Sequence, residues 1–294
     1  MRQLIILVML FCVCEMMAQH KIGIRAGLNQ STFSASSLEE GESYSFNGGF
    51  HFGVNYTYQL TPRFGVRGEL LFTQRGSSFD YEDSDSYAFI TPFGTGTAPF
   101  FEFGEVDTEI EHSNGYLSFP ITAQFDLNDK IELFGGISLD LLIIPTGRGT
   151  QEFTSSSRPE DIFFRRTLEH SYRGDEIGDL SRFFNPLVAT TFIPIIINDQ
   201  QENIVRSETA YYNLRPGDLD GTKFNLFDSH IILGVNYFIN NGFYIGIRGE
   251  LGLFDITNEG ADFSLKSIGE NDSYISRDDR DLSRSLSLSV GFRF

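Results

Sequence analysis

The chain has 294 residues, 40 Asp and Glu against 22 Lys and Arg for a formal net charge of −18, 14% aromatic residues, no Trp and two Cys. So many aromatics exclude a disordered acidic tail, and the negative balance excludes nucleic acid as a partner, because duplex binding needs Lys and Arg clustered on one face. Both cysteines, Cys12 and Cys14, lie near the N-terminus, so the rest of the chain offers no disulfide, no thiolate metal site and no cysteine nucleophile.

Arg2 supplies a positive start, Leu4 to Cys14 an apolar run, and Met16-Met17-Ala18 a cleavage site before Gln19. The run falls short of the ~20 residues that cross a bilayer as a helix. Residues 1–18 therefore read as a secretory signal peptide, with an N-terminal anchor as the alternative. Residues 19–294 form the exported domain.

From Lys21 onward apolar residues alternate with small or polar ones, the period of a β-strand with two unlike faces. Ile22, Ile24, Ala26 and Leu28 share one face of residues 21–33, and Phe50, Phe52, Val54, Tyr56, Tyr58 and Leu60 one face of 49–60. Phe64, Val66, Leu70 and Phe72 do so in 64–75, Leu117 to Leu127 in 115–127, and Ile131 to Ile143 in 131–143. The pattern returns in 227–239 and 243–255, and in the stretch from Leu286 to Phe294. Strands of about 11–13 residues exceed the ~5–6 usual in soluble sheets and match the ~9–11 of a tilted membrane-crossing strand.

The connections alternate in length. Thr61-Pro62-Arg63, Asn128-Asp129-Lys130 and Asn240-Asn241-Gly242 are tight turns, whereas 34–48, 76–114, 144–226 and 256–281 are long. Short turns on one side and long loops on the other mark an outer-membrane barrel: all-β, eight antiparallel up-and-down strands. A soluble β-sandwich or lipocalin-like barrel is the alternative. It would bury the apolar faces, whereas here the polar faces carry the Gly, Ser and Arg–Glu pairs that suit a narrow, filled interior. Tyr56, Tyr58, Phe64, Tyr237, Phe243, Phe292 and Phe294 near strand ends suit interfacial girdles. The connection 144–226 is too long for plain coil. Its stretches Phe183-Phe184, Val188 to Ile197 and Ile204 to Leu214 read as extra strands, forming either a protruding hairpin or two further barrel strands, which would raise the count to ten.

The hairpin of residues 53–72 recurs at 234–254: Gly53-Val54-Asn55-Tyr56 and Gly234-Val235-Asn236-Tyr237 each precede Arg-Gly-Glu-Leu at the same interval. Duplication of a half-barrel explains this, as does convergence under one patterning rule. On this parity Arg25, Arg67, Glu69, Glu132, Asp140, Arg248, Glu250 and Arg293 face the lumen. Eight strands enclose only enough space for side chains, so these charges must pair or cost several kcal/mol each. A salt-bridge plug is expected, with a gated or proton-conducting path as the alternative.

His51 and His230 face inward near the loop ends, at the height of Asp228 and Asp140, but no nucleophile at fixed spacing accompanies them. No catalytic residue, metal-ligand spacing, calcium loop or phosphate-cradling loop is found, and no cofactor is implied. The long loops hold 31 of the 40 acidic residues. That charge suits either a cation-bridged contact with lipopolysaccharide or a partner surface, or a solvated exterior that repels other copies.

"KIGIRAGLN" (21–29), "YLSFP" (116–120), "FGGISLDLLI" (134–143) and "LSLSVGFRF" (286–294) resemble PorT-like outer-membrane β-barrel proteins of Bacteroidetes-type bacteria. The resemblance covers the eight strands and not the long loops. It implies an outer-membrane location and insertion by the barrel assembly machinery, for which Val290, Phe292 and Phe294 look like the recognition signal. Some relatives serve type IX secretion. The expected function is non-enzymatic: a structural or interaction role in the cell envelope, with lipid, lipopolysaccharide and a protein at the loops as partners. The alternatives are an accessory subunit of a secretion or transport machine, and a hydrolase active at the rim.

Overall fold

Alternating side chains keep the backbone extended, and each strand then needs hydrogen-bonded neighbours along both edges. The computed structural model describes residues 19–93, 96–171, 192–209, 224–258, 260 and 262–294. The expected leader, residues 1–18, lies outside them. The strands run in the order β1 (His20–Ala35), β2 (Glu42–Thr61), β3 (Phe64–Ile90), β4 (Phe100–Asp126) and β5 (Ile131–Ile144). Then come β6 (Thr146–Ser155), β7 (Phe163–Ser171), β8 (Phe192–Ile197), β9 (Gln200–Val205) and β10 (Ser207–Thr209). The last five are β11 (Phe227–Phe238), β12 (Phe243–Gly252), β13 (Phe263–Ile268), β14 (Tyr274–Ser276) and β15 (Asp281–Arg293).

Eight of these close a ring, β1-β2-β3-β4-β5-β11-β12-β15 and back to β1, antiparallel at every seam. Closure matters because lipid cannot hydrogen-bond an open sheet edge. The tight turns are set by side chains that mimic a backbone acceptor. Asn128 Oδ1 accepts the N–H groups of Lys130 and Ile131, each at 2.9 Å. Asn240 Oδ1 accepts those of Gly242 at 3.0 Å and Phe243 at 2.8 Å. Thr61 Oγ1 takes the Phe64 N–H at 3.0 Å.

Around the ring the outward residues are apolar and uncovered by protein: Leu28 is 69% exposed, Leu233 68% and Leu139 58%. In water such a surface would cost ~25 cal/mol per Å²; against acyl chains it costs nothing. Tyr56, Tyr58, Phe64, Tyr237 and Phe292 ring the short-turn end, and Phe50, Phe52 and Phe72 pack together toward the other.

Strands β3 and β4 continue far past this belt. Their upper halves pair with each other to Ile90 and Phe100. The upper half of β4 also pairs with β6, from Gly104 opposite Ser155 to His112 opposite Gly147. β5 lines the lower half of β4 and β6 the upper half, in the same direction, so β6 prolongs β5 past Pro145. β7 lies against β6, with β10 alongside it. The hairpin β8–β9 and the small β13–β14 sheet complete a cap. The apolar core of the molecule sits here, not in the ring: Phe79, Val106, Ile110, Phe153, Ile162 and Ile195 belong to one buried cluster.

One expectation is corrected and one pair of alternatives is decided. Residues 76–114 are mostly strand, not loop, because alternation continues while its chemistry inverts: Phe79 and Tyr81 now point inward, and Asp80 and Glu82 outward. The insertion 144–226 adds no ring strand among the described residues. Its 192–205 portion is the protruding hairpin β8–β9, while β6 and β7, absent from the sequence reading, extend the cap sheet. The stretches at Phe183-Phe184, 188–191 and 210–214 lie outside the described residues.

Inside the ring small residues make room for large ones. A Cβ on Gly291 of β15 would overlap the ring of Tyr244, which is 1% exposed on the neighbouring β12. Gly291→Val should cost about 1–3 kcal/mol by overpacking, read as a lowered temperature for the heat-induced mobility shift of the folded barrel on gels, with Ser285→Ala on the same strand as the mild control.

Candidate functional site

Inward positions on six ring strands converge on two ion networks. Toward the short-turn end, Arg67 donates to Glu132 at 2.7 Å and Arg293 to its other oxygen at 3.2 Å. Asn236 Nδ2 adds a third donor to Glu132 at 2.7 Å. Above lies a relay across the barrel. Glu69 is shared by Arg25 at 3.2 Å and Arg248 at 2.9 Å. Arg248 also reaches Glu250 at 2.5 Å, and Glu250 lies 3.3 Å from Arg75. Arg75 is 3.0 Å from Asp140, Asp140 is 2.7 Å from His230 Nδ1, and His230 Nε2 is 3.3 Å from Asp228. Five guanidinium groups thus face five carboxylates within these networks.

All eight sequence-predicted lumen residues lie in these two networks. Arg75 joins the Glu250 and Asp140 sides yet is absent from the predicted set, although it shares the odd-numbered parity of Arg67 and Glu69. Extending the parity count to the end of the 64–75 segment would have found it. The Arg-Gly-Glu-Leu repeats on β3 and β12 meet through Arg248 and Glu69, from opposite sides of the ring. His51 belongs to neither network. Its Nδ1 lies 2.7 Å from Asn29 Oδ1, and Asn29 donates to Thr73 at 3.1 Å. Val290, Phe292 and Phe294 all stand on the outer face at the closing strand.

Above the ring the cap has an acidic exterior. Across the β3–β4–β6 sheet Asp80 stands opposite Glu109, Glu82 opposite Asp107, and Asp107 opposite Glu152. Like charges directly opposite repel, and Arg165 offsets Glu152 at 3.1 Å. On another side Arg277 clasps two loops, 2.6 Å from Glu42 and 2.8 Å from Asp279, with its Nη2 donating to the Ser37 carbonyl at 2.8 Å. Burial, then a hydrogen bond with Asp279, pushes Asp262 up to about 8. Burial likewise pushes Asp281 up to about 6, against the Thr257 hydroxyl that lowers it. Among the described residues no group of three His, Cys, Asp or Glu is arranged to hold a metal ion.

A closed antiparallel ring with an apolar exterior, an ion-paired interior, short turns at one end and elaborated loops at the other defines an integral outer-membrane β-barrel. The family model described as outer membrane protein beta-barrel domain matches residues 17–258. The chain belongs to that family, and its place is the outer membrane. No curated protein sequence matches it. Among solved structures it is similar to Ail, the attachment invasion locus protein of Yersinia pestis, at 13% identity and a TM-score of 0.34, over 94% of this chain and 99% of that one. It is also similar to Neisserial surface protein A, at 8% identity and TM-score 0.32 over 93% and 97%. OprG of Pseudomonas aeruginosa is similar at 10% identity and TM-score 0.29, over 93% and 95%.

Glu69→Gln leaves Arg25 and Arg248 facing each other with no carboxylate between them. The barrel should lose about 3–5 kcal/mol, whereas removing the whole set with Arg25→Met, Glu69→Leu, Arg248→Met and Glu250→Leu, which leaves Arg75 its pair with Asp140, should be no less stable than the parent; urea unfolding in lipid vesicles separates the two. The cap titrates separately. Asp262 and Asp281 hold protons in the folded cap that the opened cap releases near the ordinary carboxylate value of 3.8, so cap stability falls as pH rises from about 4 to about 8. Amide protection of β13 and β14, corrected for intrinsic exchange, should decline over that range, and Asp262→Asn should flatten the decline.

Proposed function

We propose that this protein is a non-enzymatic, plugged outer-membrane barrel that serves the envelope through the cap it holds outside the cell. The observation that carries the reading is the union of a lumen filled by paired charges with an ordered, acid-faced sheet built on the same strands. A barrel meant to conduct would leave its axis wet. Here Arg67, Arg75 and His230 are at most 1% exposed; both guanidinium groups lie in ion pairs, and His230 Nδ1 lies 2.7 Å from Asp140. The same burial argues against rim hydrolysis: His230 is 0% exposed and held between Asp140 and Asp228, and among the described residues no hydroxyl lies at hydrogen-bond distance from it.

Three classes of contact follow from the surfaces. Lipid and lipopolysaccharide meet the apolar belt and girdles. The assembly machinery reads Val290, Phe292 and Phe294 on the outer face of the closing strand. A basic protein surface or bridging cations meet the row of carboxylates on β3, β4 and β6. The motifs quoted for the PorT-like group support reading the chain as a relative of that group, and the same acidic face is what an accessory subunit of a secretion machine would present.

In a planar bilayer the purified protein should show no stable open conductance, while disrupting both networks with Arg67→Ala and Arg75→Ala together should produce intermittent openings. A steady ohmic pore in the parent protein would overturn the plugged reading. Co-purification in mild detergent tests the subunit role: a partner retained by the parent and lost on Glu82→Lys, Asp107→Lys and Glu109→Lys supports docking at the acidic face.

A further inference from the structure

The cap encloses a cavity that neither the plug nor the acidic exterior uses. Its walls are mainly aromatic and aliphatic, with Phe79, Tyr87 and Phe263 among them; Glu42, Arg277 and Asp281 are its charged lining, and His112, Gln151 and Thr108 add polar groups. The space between the lining atoms, the open mouth and its solvent included, is about 950 Å³. No residue of the two lumen networks lines it. The cavity therefore ends above the plug and is a cup, not a conduit.

The charged lining has more acids than bases. Arg277 already serves Glu42 and Asp279 and lies close enough to Asp262 to feel its charge. Asp281 is left with less. Its Oδ2 accepts the Thr257 hydroxyl at 2.7 Å, and its Oδ1 is buried without a hydrogen-bond partner, the residue being 6% exposed. An anionic ligand would enter a site where one guanidinium is shared among several carboxylates. A wholly apolar ligand would seal that Asp281 oxygen away from water and leave it unpaired. A cation carrying N–H donors answers both, and its apolar body suits the aromatic faces.

We propose that the cap cavity binds a small amphipathic amine, its protonated ammonium set against Asp281 and its aromatic or alkyl body among the ring faces. The site holds such a molecule at the cell exterior without passing it through the barrel.

The test uses the full chain in lipid nanodiscs near neutral pH, titrated calorimetrically with 2-phenylethylammonium, 2-phenylethanol and 3-phenylpropionate, three probes of similar body and different head. The amine should bind saturably, the alcohol roughly tenfold more weakly or worse, and the carboxylate not at all. Asp281→Asn should bring the amine down to the affinity of the alcohol. Ile110→Trp, which fills the cavity from β4, should abolish binding of all three while the barrel keeps its heat-modifiable gel mobility. Equal affinity for the three probes, heats no larger than those of empty nanodiscs, or undiminished amine binding in folded Ile110→Trp would each overturn the proposal.

Discussion

Lipid against the outer face of the ring is the condition on which the rest of the molecule depends. Leu28, Leu139 and Leu233 can stand uncovered only if water never reaches them, and once they do, the polar alternates have nowhere to go but inward. The long strands record where that condition ends. Along β3 the outward side chains change from Val66, Leu70 and Phe72 to Asp80 and Glu82, while the inward ones change from Arg67, Glu69 and Arg75 to Phe79 and Tyr81. β4 makes the same exchange, from Phe119 and Ile121 outside to Glu105, Asp107, Glu109 and Glu111. One continuous ladder of backbone hydrogen bonds thus serves two solvents, and only the side chains tell them apart.

Placing charge inside the ring creates a demand that geometry must meet. An interior just wide enough for side chains has no bulk water to solvate Arg25 or Glu132, so each must find its opposite across the barrel. The two Arg-Gly-Glu-Leu segments do this from facing hairpins, which gives the sequence repeat a physical meaning whether it arose by duplication or by convergence. The pairing links strands distant around the ring, and it makes the barrel rigid in cross-section as well as closed.

How far the fold could be read beforehand follows from the same physics. Period-two alternation with apolar residues on one side identified all eight ring strands, and turn residues such as Asn128 and Asn240 marked the tight end. The parity that placed Arg67 and Glu250 inward is the one the structure shows. What was not legible was most of the cap, its β8 strand within Val188 to Ile197 excepted. There the apolar side of each strand faces protein and the charged side faces water, so Glu105, Asp107, Glu109 and Glu111 resemble a hydrophilic loop although they alternate strictly with Gly104, Val106, Thr108 and Ile110. β6 escaped notice because Pro145 interrupts the run from β5 and Gly147 and Gly149 dilute its pattern. The cup lined by Phe79, Tyr87 and Asp281 draws on segments remote in sequence, and no local motif brings those residues together.

The neighbours β5 and β11 lie side by side in the ring, yet everything from Pro145 to Leu226 intervenes between them. Loop-closure entropy rises only with the logarithm of length, about 0.6 kcal/mol per doubling, and the register of this seam is fixed by the alternation of its own two strands. The joint is therefore indifferent to what is spliced into it. It offers a graft point where whole exterior modules could be exchanged during evolution, or by an engineer seeking to display a foreign domain, without renegotiating the barrel beneath.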